Sequence, residues 1–120
     1  MKPKIDKTKF GSITVAGEKH THDILIRLSG KIENRKKKLS KEVFGTSHII
    51  SQAEAEYIYE EGAGHIIIGT GQSGLVQLSD EAIEFFTLKE CQPHLLPTPD
   101  AIILWNKSKG PAIGLFHITC

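Results

Sequence analysis

Apolar and polar residues alternate through the first third of the chain, the period of half-buried strands. "SITVAG" sets Ile13 and Val15 on one face, and "HDILIRL" sets Ile24, Ile26 and Leu28 on one face. Gly17 and the "SG" at 29–30 supply turn chemistry, and a third short strand is expected near Ile32, so that the three form an antiparallel meander. Residues 1–9, basic in character, are expected to be a flexible segment of a single domain spanning 1–120. "NRKKKLSKEVFGTSH" then reads as an irregular basic stretch.

Beyond it the period becomes helical. Ser51 and Glu54 form an S-x-x-E capping box, in which each side chain satisfies the other residue's free backbone N–H. That helix carries Ala53, Tyr57 and Ile58 inward and stops at Gly62. "HIII" lacks polar alternation and reads as a strand buried on both faces. "LVQL" alternates like a strand, and "SDEAIEFFTLKE" reads as a helix capped by Ser79 or Asp80, with Ala82, Ile83 and Phe86 on one face. After the short strand "HLLP", "TPDAIILWNKSKG" opens a helix with Thr98 as cap and Pro99 in the first position, and Gly110 ends it. "AIGLFHITC" is a near-continuous apolar strand suited to the interior of a sheet. Strands alternating with helices define an α/β layered sandwich to which the meander is attached.

At 120 residues the chain is one domain of ordinary size. Lys and Arg number 15 against 14 Asp and Glu, so the net charge of +1 gives no global attraction to nucleic acid or anionic lipid. Cys91 and Cys120 fall far short of a disulfide scaffold and point to a reducing compartment. The first residues lack the apolar core of a secretory signal. The longest apolar runs, "AIILW" and "HIII", are far below the roughly 20 residues of a membrane span. The expectation is a cytoplasmic protein with no membrane partner.

"HIIIGTGQSG" sets Gly69, Gly71 and Gly74 in the G-x-G-x-x-G spacing of a dinucleotide-binding turn. Such a site needs a helix opening within the motif and an acidic residue at the end of the next strand. Here the next helix cap waits until Ser79, and Asp100, the acid nearest the required place, lies in the first turn of another helix. The glycines are therefore read as a backbone device that turns sharply, takes positive φ and passes close to another backbone. No cofactor is expected.

His20 and His22 share a strand face beside Asp23, but two ligands do not complete a zinc site, and the histidines read as exposed, with no metal. Arg35 to Lys41 is the dense cationic stretch, the place for a phosphate, RNA or acidic-protein contact. Without interleaved aromatics to stack bases it reads as a solvated, partner-facing loop, and nucleic acid is not expected as a partner. Polar groups with chemical potential gather in "GTSH" at 45–48 and "HITC" at 117–120. His48, His117 and Cys120 suggest a thiol–imidazole pair. Strand alternation, however, sets His117 and Thr119 on one face and Phe116, Ile118 and Cys120 on the other, which leaves His48 as the distant candidate. The favoured reading makes Cys120 a small buried plug and lets Ser47 and His48 satisfy loop backbone. No catalytic residue is assigned.

Read together, "FGSITVAG", "HDILI", "GTSH", "IIIGTGQSGLV", "PTPDAIILWN" and "HITC" resemble the Mth938-like domain family over nearly the whole chain, from Phe10 to Cys120. Its relatives include archaeal and bacterial single-domain proteins of unknown activity, an adipogenesis-associated protein and a mitochondrial complex I assembly factor. The resemblance implies an α/β layered sandwich with a central mixed sheet, flanking helices and an extra β layer, here supplied by the N-terminal meander. It brings no reaction or cofactor. Trp105, where relatives tend to have tyrosine, and the basic "RKKK" depart from the family pattern.

The resulting expectation is an assembly-factor-like accessory domain that works by contact with an unidentified protein partner rather than by catalysis. The alternative is a small-molecule or anion pocket, with catalysis open to it. Arg35, Thr46, Ser47, His48, Gly69, Gly71 and Gly74 would line that pocket, with His117 and Cys120 nearby. The meander edge and the last strand leave a homodimer open.

Overall fold

The unbroken apolar runs take the centre of the molecule, because only a strand covered on both faces can bury every residue. A computed structural model describes residues 2–120. In chain order its elements are β1 (Ile5–Lys9), β2 (Ser12–Val15), β3 (Glu18–His20), β4 (Ile24–Ile26), β5 (Ile32–Asn34), α1 (Lys38–Phe44), β6 (Ile49–Ile50), α2 (Gln52–Ile58), β7 (His65–Thr70), β8 (Gln77–Leu78), α3 (Asp80–Leu88), β9 (Gln92–Leu96), α4 (Thr98–Lys107) and β10 (Ala112–His117).

A five-stranded sheet runs in the order β5-β4-β10-β7-β9. β10 and β9 lie parallel to β7, whereas β4 is antiparallel to β10 and β5 to β4, so the sheet is mixed. β1-β2-β3 form a separate antiparallel sheet, and β6 and β8 a short parallel pair.

Strand alternation divides the interior into two cores. Ile66 and Ile68 of β7, Leu25 of β4 and Ile113 and Leu115 of β10 meet Ala55 and Ile58 of α2 and Ala82 and Phe86 of α3. The intervening residues Ile67, Ile24, Ile26 and Phe116 face the other way, onto Ala101 and Trp105 of α4 and onto Ile5, Ile13 and Val15 of the small sheet. On that side Trp105 meets Phe116 edge to face, with centroids 5.8 Å apart. The molecule is thus an α/β sandwich of helices, mixed sheet, and a second layer of helix plus β-sheet.

Several local expectations change. β4 and β5 belong to the central sheet rather than to a meander with β2, because Ile24, Leu25 and Ile26 are all buried and need cover on both faces. The extra layer is made by β1, β2 and β3 instead. Ile5–Lys9, expected within a flexible segment, form β1, and Met1 lies outside the described residues. Ile5 is buried in the second core. Lys2 Nζ donates to the carbonyls of Trp105 at 2.7 Å and Ser108 at 2.5 Å, and Trp105 Nε1 donates to Pro3 O at 2.8 Å.

The basic stretch after Arg35 is partly helical. α1 forms there without a side-chain cap and ends at Gly45, whose φ of 71° and N–H bond to Lys41 O close the last turn. α2 stops at Ile58 rather than at Gly62, and it turns Ala55 and Ile58 inward while Ala53 is exposed. Ile83 of α3 is likewise exposed rather than inward.

Candidate functional site

The polar residues singled out above lie around a buried ion network. Asp23 precedes β4, Arg35 follows β5, Glu54 sits in α2 and His117 ends β10. Arg35 grips Glu54 with Nε at 2.7 Å and Nη2 at 3.0 Å, the two-pronged geometry that a guanidinium offers a carboxylate. Its Nη2 also donates to Ser47 O at 2.7 Å, and its Nη1 to Asp23 Oδ2 at 3.1 Å. Glu54 Oε1 accepts a further bond from Ser40 Oγ of α1 at 2.5 Å. Asp23 Oδ1 accepts the Ile118 N–H at 3.0 Å, and its Oδ2 lies 2.7 Å from His117 Nδ1. The side chains of Asp23 and Arg35 are 1 % exposed and that of Glu54 0 %.

Burial at this depth disfavours charge, and the partners reverse it. Burial pushes the Asp23 carboxyl up, but hydrogen bonding and charge from His117, the Ile118 N–H and the Lys37 ammonium outweigh it and hold the group below the usual carboxylate range. Burial likewise pulls Arg35 down, and Glu54 and Asp23 together hold it above the ordinary guanidinium value. Both groups therefore remain charged at neutral pH.

His117 extends the network toward the surface. Its Nε2 lies 3.1 Å from Thr119 Oγ1, and the His48 ring meets its ring edge to face at 5.3 Å between centroids. Carboxylate, imidazole and hydroxyl follow in the order of a nucleophilic relay. What such a relay also needs is free donors for a developing oxyanion. The nearby N–H groups of Gly71, Gln72 and Leu75 are instead engaged by Thr98 Oγ1, Thr119 O and Cys120 O, and His117 itself is buried.

The glycine turn is fitted against residues 117–120. Gly71 has φ 104°, and a β-carbon there would collide with the Cys120 carbonyl and lie 2.8 Å from His117 Cδ2. At Gly69 a β-carbon would come within 2.8 Å of Thr98 Oγ1 and 2.9 Å of the Phe116 ring. Thr98 is therefore not a helix cap. Its hydroxyl donates to His117 O at 2.6 Å and accepts the Gly71 N–H at 2.9 Å, clasping the turn to β10. α3 opens only at Asp80, so its N-terminal N–H groups are not in the turn, as a dinucleotide site would require.

Arg35, Ser47, His48, Gly69, Gly71, His117 and Cys120 thus lie in one connected region. Thr46 Oγ1 accepts the His48 N–H at 3.1 Å, and Gly74, at φ 72°, lies on the exposed side of the turn. Cys120 is half-buried and meets Gly71 through its backbone, so the buried plug is Cys91 rather than Cys120. Asp23, Ser40, Glu54 and Thr98, the residues that organise the region, were not candidates. Glu54 carried a signal, as an acid on an inward helical position, but the capping box accounted for it. In fact Ser51 Oγ accepts the Glu54 N–H at 3.1 Å, while the Glu54 carboxylate turns inward to Arg35. Among the described residues no three His, Cys, Asp or Glu side chains gather as a metal site.

The helical layer carries two adjoining surface grooves. One, of about 280 Å³, is lined by Val43, Phe44, Ser51, Gln52, Ala53 and Glu81. The other, of about 130 Å³, is lined by Gln52, Glu81, Glu84, Phe85 and Leu88, so Gln52 and Glu81 form their common wall. Val43 is 60 % exposed and Leu88 73 %, far more than their apolar character favours.

Fold and site together define a single-domain α/β sandwich whose charged centre is turned inward as a structural hub. Residues 5–110 match the family described as protein of unknown function (DUF498/DUF598), and the chain belongs to that family. Its structure is similar to that of the conserved hypothetical protein PH1505 from Pyrococcus horikoshii OT3, with 34 % identity, a TM-score of 0.88, and coverage of 98 % of this chain and 99 % of that one. The protein MT938 matches at 28 % identity and a TM-score of 0.83 over the same shares. A Mth938-like domain from Bordetella pertussis shares the fold at 13 % identity, a TM-score of 0.63, and coverage of 97 % of this chain and 85 % of that one. The Mth938-like assignment made from the sequence motifs is therefore supported. Among the described residues no helix is long and apolar enough to cross a membrane.

Proposed function

We propose that this domain is an accessory module that binds another protein through the paired grooves of α1, α2 and α3. The observation that carries this reading is the exposure of Val43 and Phe44 in one groove and of Leu88, beside half-buried Phe85, in the other, with Glu81 in the wall they share and Glu84 lining the second. An apolar anchor excludes water at the centre of an interface, and acidic edges select a partner with Lys or Arg around that anchor. The hub lies directly beneath, since Ser40 of α1 and Glu54 of α2 both belong to it. It fixes the relative placement of the two helices that form one wall. A small-molecule or anion pocket at the hub is less well supported, because every arm of the Arg35 guanidinium is already bonded within the protein. The free cysteines suit a cytoplasmic setting.

Leu88→Glu and Val43→Asp are surface changes, at residues 73 % and 60 % exposed. A partner retained by the wild-type protein at native salt and lost by both variants supports the reading. Equal retention by variants and wild type, or no specific partner for the wild type, overturns it.

A further inference from the structure

Strand pairing in the small sheet gathers lysines that the sequence keeps apart. Lys7 of β1 and Lys19 of β3 both stand opposite Thr14 of β2, and Lys9 stands opposite Ser12. Alternation sets these five residues on the outer face, while the row of Thr8, Ile13 and His20 takes the inner one, where Ile13 enters the second core. Together with Gly17 the five line a concavity of about 310 Å³, a volume at the lower end of the range for small-molecule sites. Lys7 and Lys19 are two strands apart, a backbone span of roughly 9–10 Å, and Lys9 is roughly 7 Å along β1 from Lys7. Among the described residues none of these three lysines is in an ion pair. The Asp6 carboxylate accepts the Gly17 N–H at 2.8 Å and that of Glu18 lies 3.4 Å from His20 Nε2, and neither lines the concavity. Among the described residues no hydrogen bond within the protein reaches the Ser12 or Thr14 hydroxyl, whereas Thr8 Oγ1, on the inner row, donates to Ser12 O at 2.9 Å and accepts from Gln72 Nε2 at 3.1 Å.

We propose that the outer face of the small sheet binds a short chain of phosphate groups, either inorganic or the tail of a nucleoside triphosphate. Three ammoniums without counter-charges, spaced on the order of one Debye length (about 8 Å at physiological salt), repel one another, and a ligand with several adjacent negative charges relieves that repulsion. Lysine suits this task because its ammonium meets phosphate as a point charge and needs no planar partner. Between the lysines, the Ser12 and Thr14 hydroxyls supply donors to the same oxygens. No apolar side chain lines the concavity to receive the other residues of a peptide, and no aromatic ring lines it to stack a base. Recognition therefore falls on the phosphates. The small sheet packs on the opposite side of the central sheet from α2 and α3, so the test of this site does not depend on the partner-binding reading.

Calorimetric titration of the whole chain with sodium tripolyphosphate at low salt, and in a second arm with ATP, tests the proposal. One saturable site that weakens as salt is raised is expected. Equal affinity for the two ligands assigns the site to the phosphate chain itself, and tighter binding of ATP assigns it to a nucleotide; either supports the proposal. Lys7→Gln and Lys19→Gln should each weaken tripolyphosphate binding roughly three- to tenfold. Thr14→Val leaves the charge unaltered and should still weaken binding about threefold or more, a loss that diffuse surface charge would not produce. Lys38→Gln combined with Lys41→Gln, which removes two charges from α1, should leave binding unchanged. No saturable tripolyphosphate site below about 1 mM, undiminished binding by Lys7→Gln, Lys19→Gln or Thr14→Val, an equal loss in the α1 variant, or tighter binding of a hexaglutamate peptide overturns the proposal.

Discussion

Replacing Arg35 by Met tests the hub directly. Met approximates the length of the side chain while removing its charge, so little of the effect comes from a cavity. The change strips three donor bonds from two carboxylates that are themselves 0–1 % exposed. Asp23 keeps His117, the Ile118 N–H and the nearby Lys37 ammonium. Glu54 keeps the Ser40 hydroxyl and no cation. Removing one partner of a buried ion pair typically costs about 3–5 kcal/mol, because a charge is left in low dielectric without compensation. For a domain of this size that corresponds to a fall in melting temperature of roughly 10–25 °C.

Circular dichroism under thermal and urea unfolding measures the change, and pH dependence identifies its origin. In the wild type the folded Asp23 value is depressed, so the stability it contributes is present above the unfolded value of about 4 and is lost as pH falls through the folded one. Arg35→Met removes a cation from that same Asp23 carboxylate. The deficit should therefore be largest near neutrality, where Asp23 is charged, and shrink in acid as Asp23 is protonated. Arg35→Met with Glu54→Leu should recover part of the loss, since replacing both partners by apolar groups leaves no stranded charge at α2. A deficit under about 1 kcal/mol, or one independent of pH, refutes the assignment of the network as the hub.

Gly71→Ala should cost more than about 3 kcal/mol, combining strain at φ 104° with a collision against the Cys120 backbone, which has no flexible end to move aside. Gly17→Ala, where a β-carbon meets nothing, should cost only its positive-φ penalty, and equal losses in urea unfolding would dismiss the close-approach argument. For the cysteines, burial pushes the Cys91 thiol up to about 11. The neutral thiol therefore favours the fold below its unfolded value of about 8.5, and that contribution fades as pH rises through the folded one. A thiol reagent at pH 8 should titrate Cys120 alone in the native protein and both cysteines after unfolding; rapid native reaction of Cys91 would contradict its burial.

The central strands were legible because burial on both faces leaves a signature independent of context. "HIII" and "AIGLFH" became β7 and β10, adjacent and parallel. The Ser79 cap was also legible, since its side chain accepts the Ala82 N–H locally. What could not be read was which sheet β4 would join, because alternation reports a half-covered face but not the strand that covers it. Three consecutive apolar residues, Ile24 to Ile26, were the clue that both faces were occupied. The N-terminal strand was missed for a similar reason. "IDKTK" is polar at four of its five positions, yet Ile5 alone anchors it in the second core while Asn106 brackets its backbone at 2.9 and 2.8 Å. At the hub, the sequence displayed Arg35, His48 and His117 but not their partners. A capping serine and an adjacent histidine gave Glu54 and Asp23 plausible local roles, while their actual partner Arg35 lies 19 and 12 residues away.

Those separations explain why a fold with ample apolar cover also holds buried charge. Apolar contact is non-directional, and the α2 face of Ala55 and Ile58 would bury similar area after sliding along the sheet. A guanidinium gripping Glu54 on two atoms while bonding Ser47 O and Asp23 accepts only one placement of α2, of the 45–48 loop and of the residues before β4. Asp23 then passes the constraint to His117 and Ile118, and Thr98 passes it on to the glycine turn. The histidine, arginine and glycine motifs that first suggest a pocket are consequently explained as parts of one registration device. Its outer consequence is a fixed spacing between α1 and α2, and hence a preformed wall for the groove proposed above as the partner-binding face, which on that proposal need not be ordered on binding.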